Sequence, residues 1–266
     1  MWSVQPKLFG GFHIFWIFAA FAFGYAGVLL GRRYKAGTNA RQAKLILWIA
    51  EACFVALEIV KETYYAVENG GYRWDMFPLQ ICSILFFVLP VALLCRDGAV
   101  RDAALAFAGF GSLEGAIFYF FNPAAALTAP LVLLSVHSFF WHCLMIMTSL
   151  FVVVSFDLLQ KSALRMIAGS YAVFLLFAVL AAVIDNITHL TVPELHIDYY
   201  HIGYEKVVYP LLNLLFKSPE PYLVFFFVFL VYFALGTAWI YYAVKGVCLL
   251  NRRIFKKDGG VAHEIG

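Results

Sequence analysis

Inside long apolar stretches of this chain stand a cysteine with polar neighbours, a pair of histidines and four glutamates, and these side chains are the ones able to do chemistry. Cys82 lies in Trp74-Asp75-Met76-Phe77-Pro78-Leu79-Gln80-Ile81-Cys82-Ser83. Pro78 suits a first helical turn, and Gln80, Cys82 and Ser83 then make a short polar patch near the positive end of that helix. A thiol there is either a small packing residue or a nucleophile whose thiolate the helix end favours. His137 and His142 share one predicted helix, in His137-Ser138-Phe139-Phe140-Trp141-His142-Cys143. A separation of five residues sets them about 140° apart, so they do not converge on one metal ion, which calls for an i,i+4 pair. Each is a hydrogen-bonded packing residue or a general base.

Glu51, Glu58 and Glu62 fall within about 40° of one another on a helix and form an acidic stripe. It reads as a polar cavity wall, a proton-handling site or a structural seam, with Lys61 one turn from Glu58 and able to pair with it. Glu114 stands among Gly109, Gly111, Ser112 and Gly115. Gly111 and Gly115 make a small-xxx-small pair that lets another helix approach closely. Glu114 then needs a partner on a different helix, and His137 and His142 are candidates.

The elements that must carry these residues are membrane spans. Hydrophobic residues make up 64% of the 266-residue chain and charged residues 13%, about half the charged share of a soluble domain. Seven apolar runs, at 8–30, 45–67, 76–94, 103–121, 131–155, 163–184 and 222–244, are each about long enough to cross a hydrocarbon core. The unbroken runs exclude a single-chain β-barrel, whose strands alternate in short segments. The expected fold is an all-α membrane protein, one seven-transmembrane helix bundle over the whole chain. No linker, low-complexity tract or internal repeat divides it.

Lysine and arginine set the orientation. Arg32, Arg33, Lys35, Arg41 and Lys44 follow the first run, and basic residues return at every second joint: Arg96 and Arg101, Lys161 and Arg165, then Lys245 and the C-terminal cluster. By the positive-inside rule the N-terminus lies outside and the C-terminus in the cytoplasm. The net charge of +3 therefore reports topology and gives no reason to invoke nucleic acid. The basic cluster follows the first run, so no cleavable signal peptide is expected. The five cysteines fall in or at the ends of spans, which argues against a disulfide framework. One long outer loop, 185–221, contains an apolar piece at 207–216, broken by Pro210 and too short to span. It reads as an interfacial connector or a re-entrant cap over a lipid entry. His189, His196 and His201 in that loop fit no strong metal-ligand pattern.

The segment Phe77-Pro78-Leu79-Gln80-Ile81-Cys82 resembles the LPLHLC or LPLQLC motif of the bacterial YwaF-like integral membrane proteins. The spacing of His137 and His142, the acidic second span, the glycine-rich fourth and Asn186 at the end of the sixth also resemble that family's pattern. Its relatives include a eukaryotic transmembrane acyltransferase that moves fatty acyl chains between phospholipids. The resemblance implies a membrane enzyme of that class with Cys82 as nucleophile. It also implies His142 as general base, with His137 the competing assignment. Membrane phospholipids would be acyl donor and acceptor, in the cell membrane, with no cofactor and no metal. Gln80, Ser83 or Asn186 would donate to the oxyanion, and Glu114, Glu58 and Glu51 would line or support the site. Three departures stand out: Phe77 and Ile81 replace leucines, and Gln80 replaces the histidine found in many relatives, which places more weight on the fifth span. Two rival readings remain, a transporter or solute-binding protein built on the acidic stripe and a metal-dependent intramembrane hydrolase.

Overall fold

The computed structural model describes residues 6–68, 70–72, 74, 77–127, 129, 131–192, 197, 199, 212–215 and 222–258, and the regular structure among them is all helical. The main helices are α1 (Gly11–Arg33), α2 (Ala40–Glu68), α3 (Ile84–Leu94), α4 (Ala99–Phe121), α5 (Val132–Ser155), α6 (Ala163–Thr191) and α7 (Tyr222–Asp258). Five of them, α1, α4, α5, α6 and α7, are long and apolar enough to cross a membrane. Helix α2 has 29 residues, but Glu51, Glu58, Lys61 and Glu62 break its apolarity. The third run is shorter, a 3-10 turn at Ile81–Ser83 leading directly into α3. Large apolar side chains cover the outside, including Phe15, Phe18 and Phe21 on α1, Leu176 and Val179 on α6, and Phe227, Val231 and Leu235 on α7. Patches of that extent suit lipid, not water. The protein is a multi-pass membrane protein.

Two helices form the centre. About 72% of the most apolar window is buried in both α4 and α5, against 28% in α1 and 22% in α6. Helix α5 meets α1, α2 and α4, while α4 also meets α3, α6 and α7. The closest docking is α1 on α5, through a stripe of small residues, Ala20, Gly24, Gly27 and Gly31. A Cβ added at Gly27 would run into the Met147 carbonyl, and one at Gly31 would press on Val154. At the same end Ser155 Oγ donates to the Tyr34 carbonyl at 2.5 Å, the Ala36 amide donates to the Ser155 carbonyl at 2.9 Å, and Lys35 pairs with Asp157.

Helix α4 contains a π turn at Phe107–Gly111, wholly buried. The extra residue in such a turn advances the helix face by about 100°. The residues beyond it divide their directions: Tyr119 meets α5 and Glu114 meets α7.

Two boundaries correct the sequence expectation. The third helical segment starts at Ile81 and not near 76, because Pro78 disfavours helical geometry at Phe77 and brings no N–H of its own. Phe77 to Leu79 instead forms a tight turn, with the Leu79 amide 2.7 Å from the Phe77 carbonyl. At the other end α6 runs to Thr191, so Asp185, Asn186 and His189 are helical and do not belong to a loop. No proline interrupts the sequence before Pro193. Of the apolar piece 207–216 only the helical turn Leu212–Leu215 falls within the described residues, and His196 and His201 lie outside them.

The α1–α5 contact yields a direct test. Gly27→Val should lower unfolding free energy by at least the roughly 1–3 kcal/mol of an overpacked core, read as a fall in Tm of the purified protein in micelles. Gly37→Ala, where a Cβ meets open space, should leave Tm unchanged.

Candidate functional site

Cys82 sits in the opening turn of the third segment, and three helices bracket it. Gln80 enters the turn in extended geometry, φ −73° and ψ 154°, without capping it by its side chain. Only the Ser83 amide is paired back, to the Gln80 carbonyl at 2.8 Å; the Cys82 amide faces its own sulfur, and the Ile81 amide keeps no partner among the described residues. Starting the helix at Ile81 therefore puts Cys82 in its first turn, where N–H groups outside the backbone ladder and the positive end of the dipole converge. Ser83 Oγ lies 4.0 Å from the Cys82 sulfur.

Helix α5 fixes this turn from one side. The Trp141 indole N–H donates to the Cys82 carbonyl at 3.0 Å, and Phe54 of α2 packs edge-on against the same indole, 4.9 Å between centroids. One turn earlier His137 Nε2 donates to the Leu57 carbonyl of α2 at 2.9 Å. A carbonyl only accepts, so this ring carries its proton on Nε2 and presents a bare lone pair at Nδ1. Beside it Lys61 lies 2.7 Å from Glu58 and 3.2 Å from Glu62. Lys61 and Glu58 are near enough to the Cys82 sulfur for their charges to act on it, and Lys61 acts on His137 as well.

Helix α4 closes the other side through Tyr119. Its ring lies flat on His142, with centroids 3.5 Å apart and planes 4° from parallel. Its hydroxyl donates to Ser138 Oγ at 2.8 Å, and the Cys82 sulfur is within electrostatic reach of that phenol. His142 Nδ1 donates to the Ser138 carbonyl at 2.7 Å, which leaves Nε2 as the basic nitrogen. Neither histidine is in direct hydrogen bond with Cys82. The links run through Tyr119 to His142 and through Trp141 and Lys61 toward His137. His13 of α1 behaves differently: Nδ1 accepts from the Phe9 amide at 3.1 Å and Nε2 donates to the Phe120 carbonyl at 3.1 Å, so both nitrogens are spent on structure.

The segment ahead of Cys82 is held by α6. Asp185 is fully buried and accepts from the Tyr199 amide at 3.2 and 3.3 Å. The Tyr199 hydroxyl in turn donates to the Trp74 carbonyl at 2.7 Å, and its ring packs on Phe77.

Of the residues singled out in the sequence, Cys82, Ser83, Gln80, Glu58 and His137 gather here, with His142 joined through Tyr119. Two expectations need correction. Glu114 meets neither histidine: its Oε2 accepts from Thr237 Oγ1 on α7 at 2.6 Å, and Gly236 makes room for the carboxylate. Asn186 directs its amide group to the Ala182 carbonyl at 2.7 Å and the Tyr222 hydroxyl at 3.2 Å, which removes it as an oxyanion donor. Glu51 is buried two turns along α2 from Glu58, about 10 Å away, with Oε2 unpaired. Among the described residues no three His, Cys, Asp or Glu side chains gather as a metal-binding group. The sequence reading missed Tyr119, Trp141 and Asp185. A signal existed for Trp141, since an indole N–H deep in an apolar run must find an acceptor.

A family model described as the TMEM164 family matches residues 8–239. No curated protein and no solved structure matches the chain.

Removing the indole donor with Trp141→Phe strands the Cys82 carbonyl. Stability should drop by about 1–3 kcal/mol, the cost of one unsatisfied buried acceptor, measured by thermal unfolding in micelles beside wild type.

Proposed function

The chain belongs to the TMEM164 family, and on that premise we propose that it is an acyltransferase or transacylase of the cell membrane that moves fatty acyl chains between phospholipids. In this reading the chain crosses the bilayer seven times, N-terminus outside and C-terminus cytoplasmic, as its basic joints imply, and it stands with the YwaF-like proteins its motif resembles. Cys82 is the nucleophile, His142 the base and His137 the competitor for that role.

The observation that carries the reading is the position of Cys82 in the first turn of a helix, where among the described residues the Ile81 and Cys82 amides bond to no backbone carbonyl. Those amides suit the oxyanion of a tetrahedral intermediate. Two histidines, each with one nitrogen pinned by a carbonyl, supply the base through the other nitrogen. The reaction begins when a histidine takes the thiol proton and sulfur bonds to the ester carbonyl of a donor phospholipid. The carbon–oxygen bond then breaks and the proton passes to the departing lysophospholipid oxygen. In the second half the acceptor's hydroxyl gives its proton to the histidine and attacks the thioester. The carbon–sulfur bond breaks and the thiol is restored. The Tyr119 hydroxyl is hydrogen-bonded to Ser138, and its ring covers His142 on that side of the site.

A second reading, a transporter or solute-binding protein, draws support from Glu51 and Glu114, each buried with one carboxylate oxygen unpaired. The two readings separate on Cys82. With purified protein in nanodiscs, a labelled diacyl donor and a lysophospholipid acceptor, Cys82→Ala should abolish transfer. His142→Ala should slow it by about 10²–10⁴-fold, the usual worth of a positioned base. A larger loss in His137→Ala would move the base to His137. Wild-type transfer by Cys82→Ala would end the acyl-enzyme reading.

A further inference from the structure

The opposite end of the bundle carries a second site. Where α2 and α4 begin and α5 gives way to α6, an open cavity of about 400 Å³ is lined by Lys44, Asp97, Arg101, Asp102, Phe156 and Lys161. Arg101 pairs with Asp97, and Lys161 Nζ lies 2.6 Å from Asp102. Lys44 is exposed and makes no ion pair or hydrogen bond among the described residues. Three cations against two carboxylates leave the cavity one net positive charge. Arg101 is further held in place: its Nε donates to the Ala92 carbonyl at 3.2 Å and its guanidinium lies over the Phe156 ring at 5.8 Å. Helices α2 and α6 start at this end with no acidic side chain in their first turns, so their positive dipole ends stand uncompensated there.

We propose that this cavity binds the phosphate of a ligand that is anionic overall, with no cation of its own beside that phosphate. Lys44 would be the free cation that receives it and Arg101 the pre-positioned fork. The fit is to charge and shape together. A planar guanidinium fixed from behind and two ammonium groups on separate elements surround a space large enough for a headgroup. The site shares no residue with the Cys82 cluster and does not depend on the proposed reaction.

The test uses the full chain, purified and delipidated in micelles, with Tm followed as phosphatidylglycerol, phosphatidylcholine or inorganic phosphate is titrated in. Phosphatidylglycerol should stabilise saturably in a way that depends on Lys44, and any stabilisation by phosphatidylcholine should be the same in wild type and Lys44→Ala. Lys44→Ala and Arg101→Ala should each weaken the apparent affinity about tenfold, the loss expected with one charge-assisted hydrogen bond. Arg41→Ala, at the same end but outside the cavity, should bind as wild type, and so should Cys82→Ala. Stabilisation by inorganic phosphate alone, with the same dependence on Lys44, supports the cavity and makes its ligand a soluble phosphate. The proposal is overturned if Lys44→Ala binds like wild type. It is equally overturned if Arg41→Ala weakens binding as much, since the effect would then be the diffuse charge of a basic surface.

Discussion

In an apolar surrounding, a backbone carbonyl without a hydrogen bond is costly, and wherever the chain leaves regular helix a neighbour must supply the donor. That constraint organises this protein. Trp141 serves the Cys82 carbonyl, Tyr199 serves Trp74, Ser135 serves Ala126 and His13 serves Phe120, while His137 adds a second donor to the Leu57 carbonyl inside α2. Each donor sits on a different segment from its acceptor, so satisfying the backbone also fixes how the helices stand against one another. The polar side chains of this bundle act first as fasteners between segments.

The candidate site follows from the same economy. A helix that begins at Ile81 leaves an irregular approach at Phe77 to Gln80, and irregular backbone inside a bundle exists only where protein encloses it. The enclosure consists of α2, α4 and α5, and it is these helices that bring Glu58, Lys61, Tyr119 and the two histidines to Cys82. The carbonyl that orients each histidine also chooses its tautomer, so the same bond that packs the ring sets the nitrogen free to act as a base. The tight α1–α5 glycine contact and the π turn in α4 lie farther away but matter to the same end. One seats α5 against its neighbour, and the other turns Glu114 toward α7 and away from the histidines.

Much of this was legible in the residues. The helical character and the five long apolar helices follow from composition and length, and the Glu58–Lys61 pair follows from their spacing on a helix. Cys82 stood out because polar residues cluster around it where few others occur. What escaped were features set by tertiary contact. The late start of the third segment hangs on where Pro78 lies relative to an enclosure the sequence does not display. The partner of Glu114 depends on the phase shift of a π turn, which no periodicity announces. Tyr119 looked like an ordinary aromatic near the end of a run, and only the stacked His142 gives it a place in the site. The stripe Ala20, Gly24, Gly27 and Gly31 was there to be read at helical spacing on α1, and it marks the buried face of that helix.

The central claim is that a lipid acyl group rests on the sulfur at the start of the third segment. Its most direct test is mass spectrometry of the intact wild-type chain after incubation with a diacyl phospholipid and no acceptor, followed by peptide mapping. The account predicts one added acyl group on Cys82, released by neutral hydroxylamine as a thioester should be. An unmodified Cys82 in protein that still transfers acyl chains, or an acyl group mapped to another residue, would contradict it.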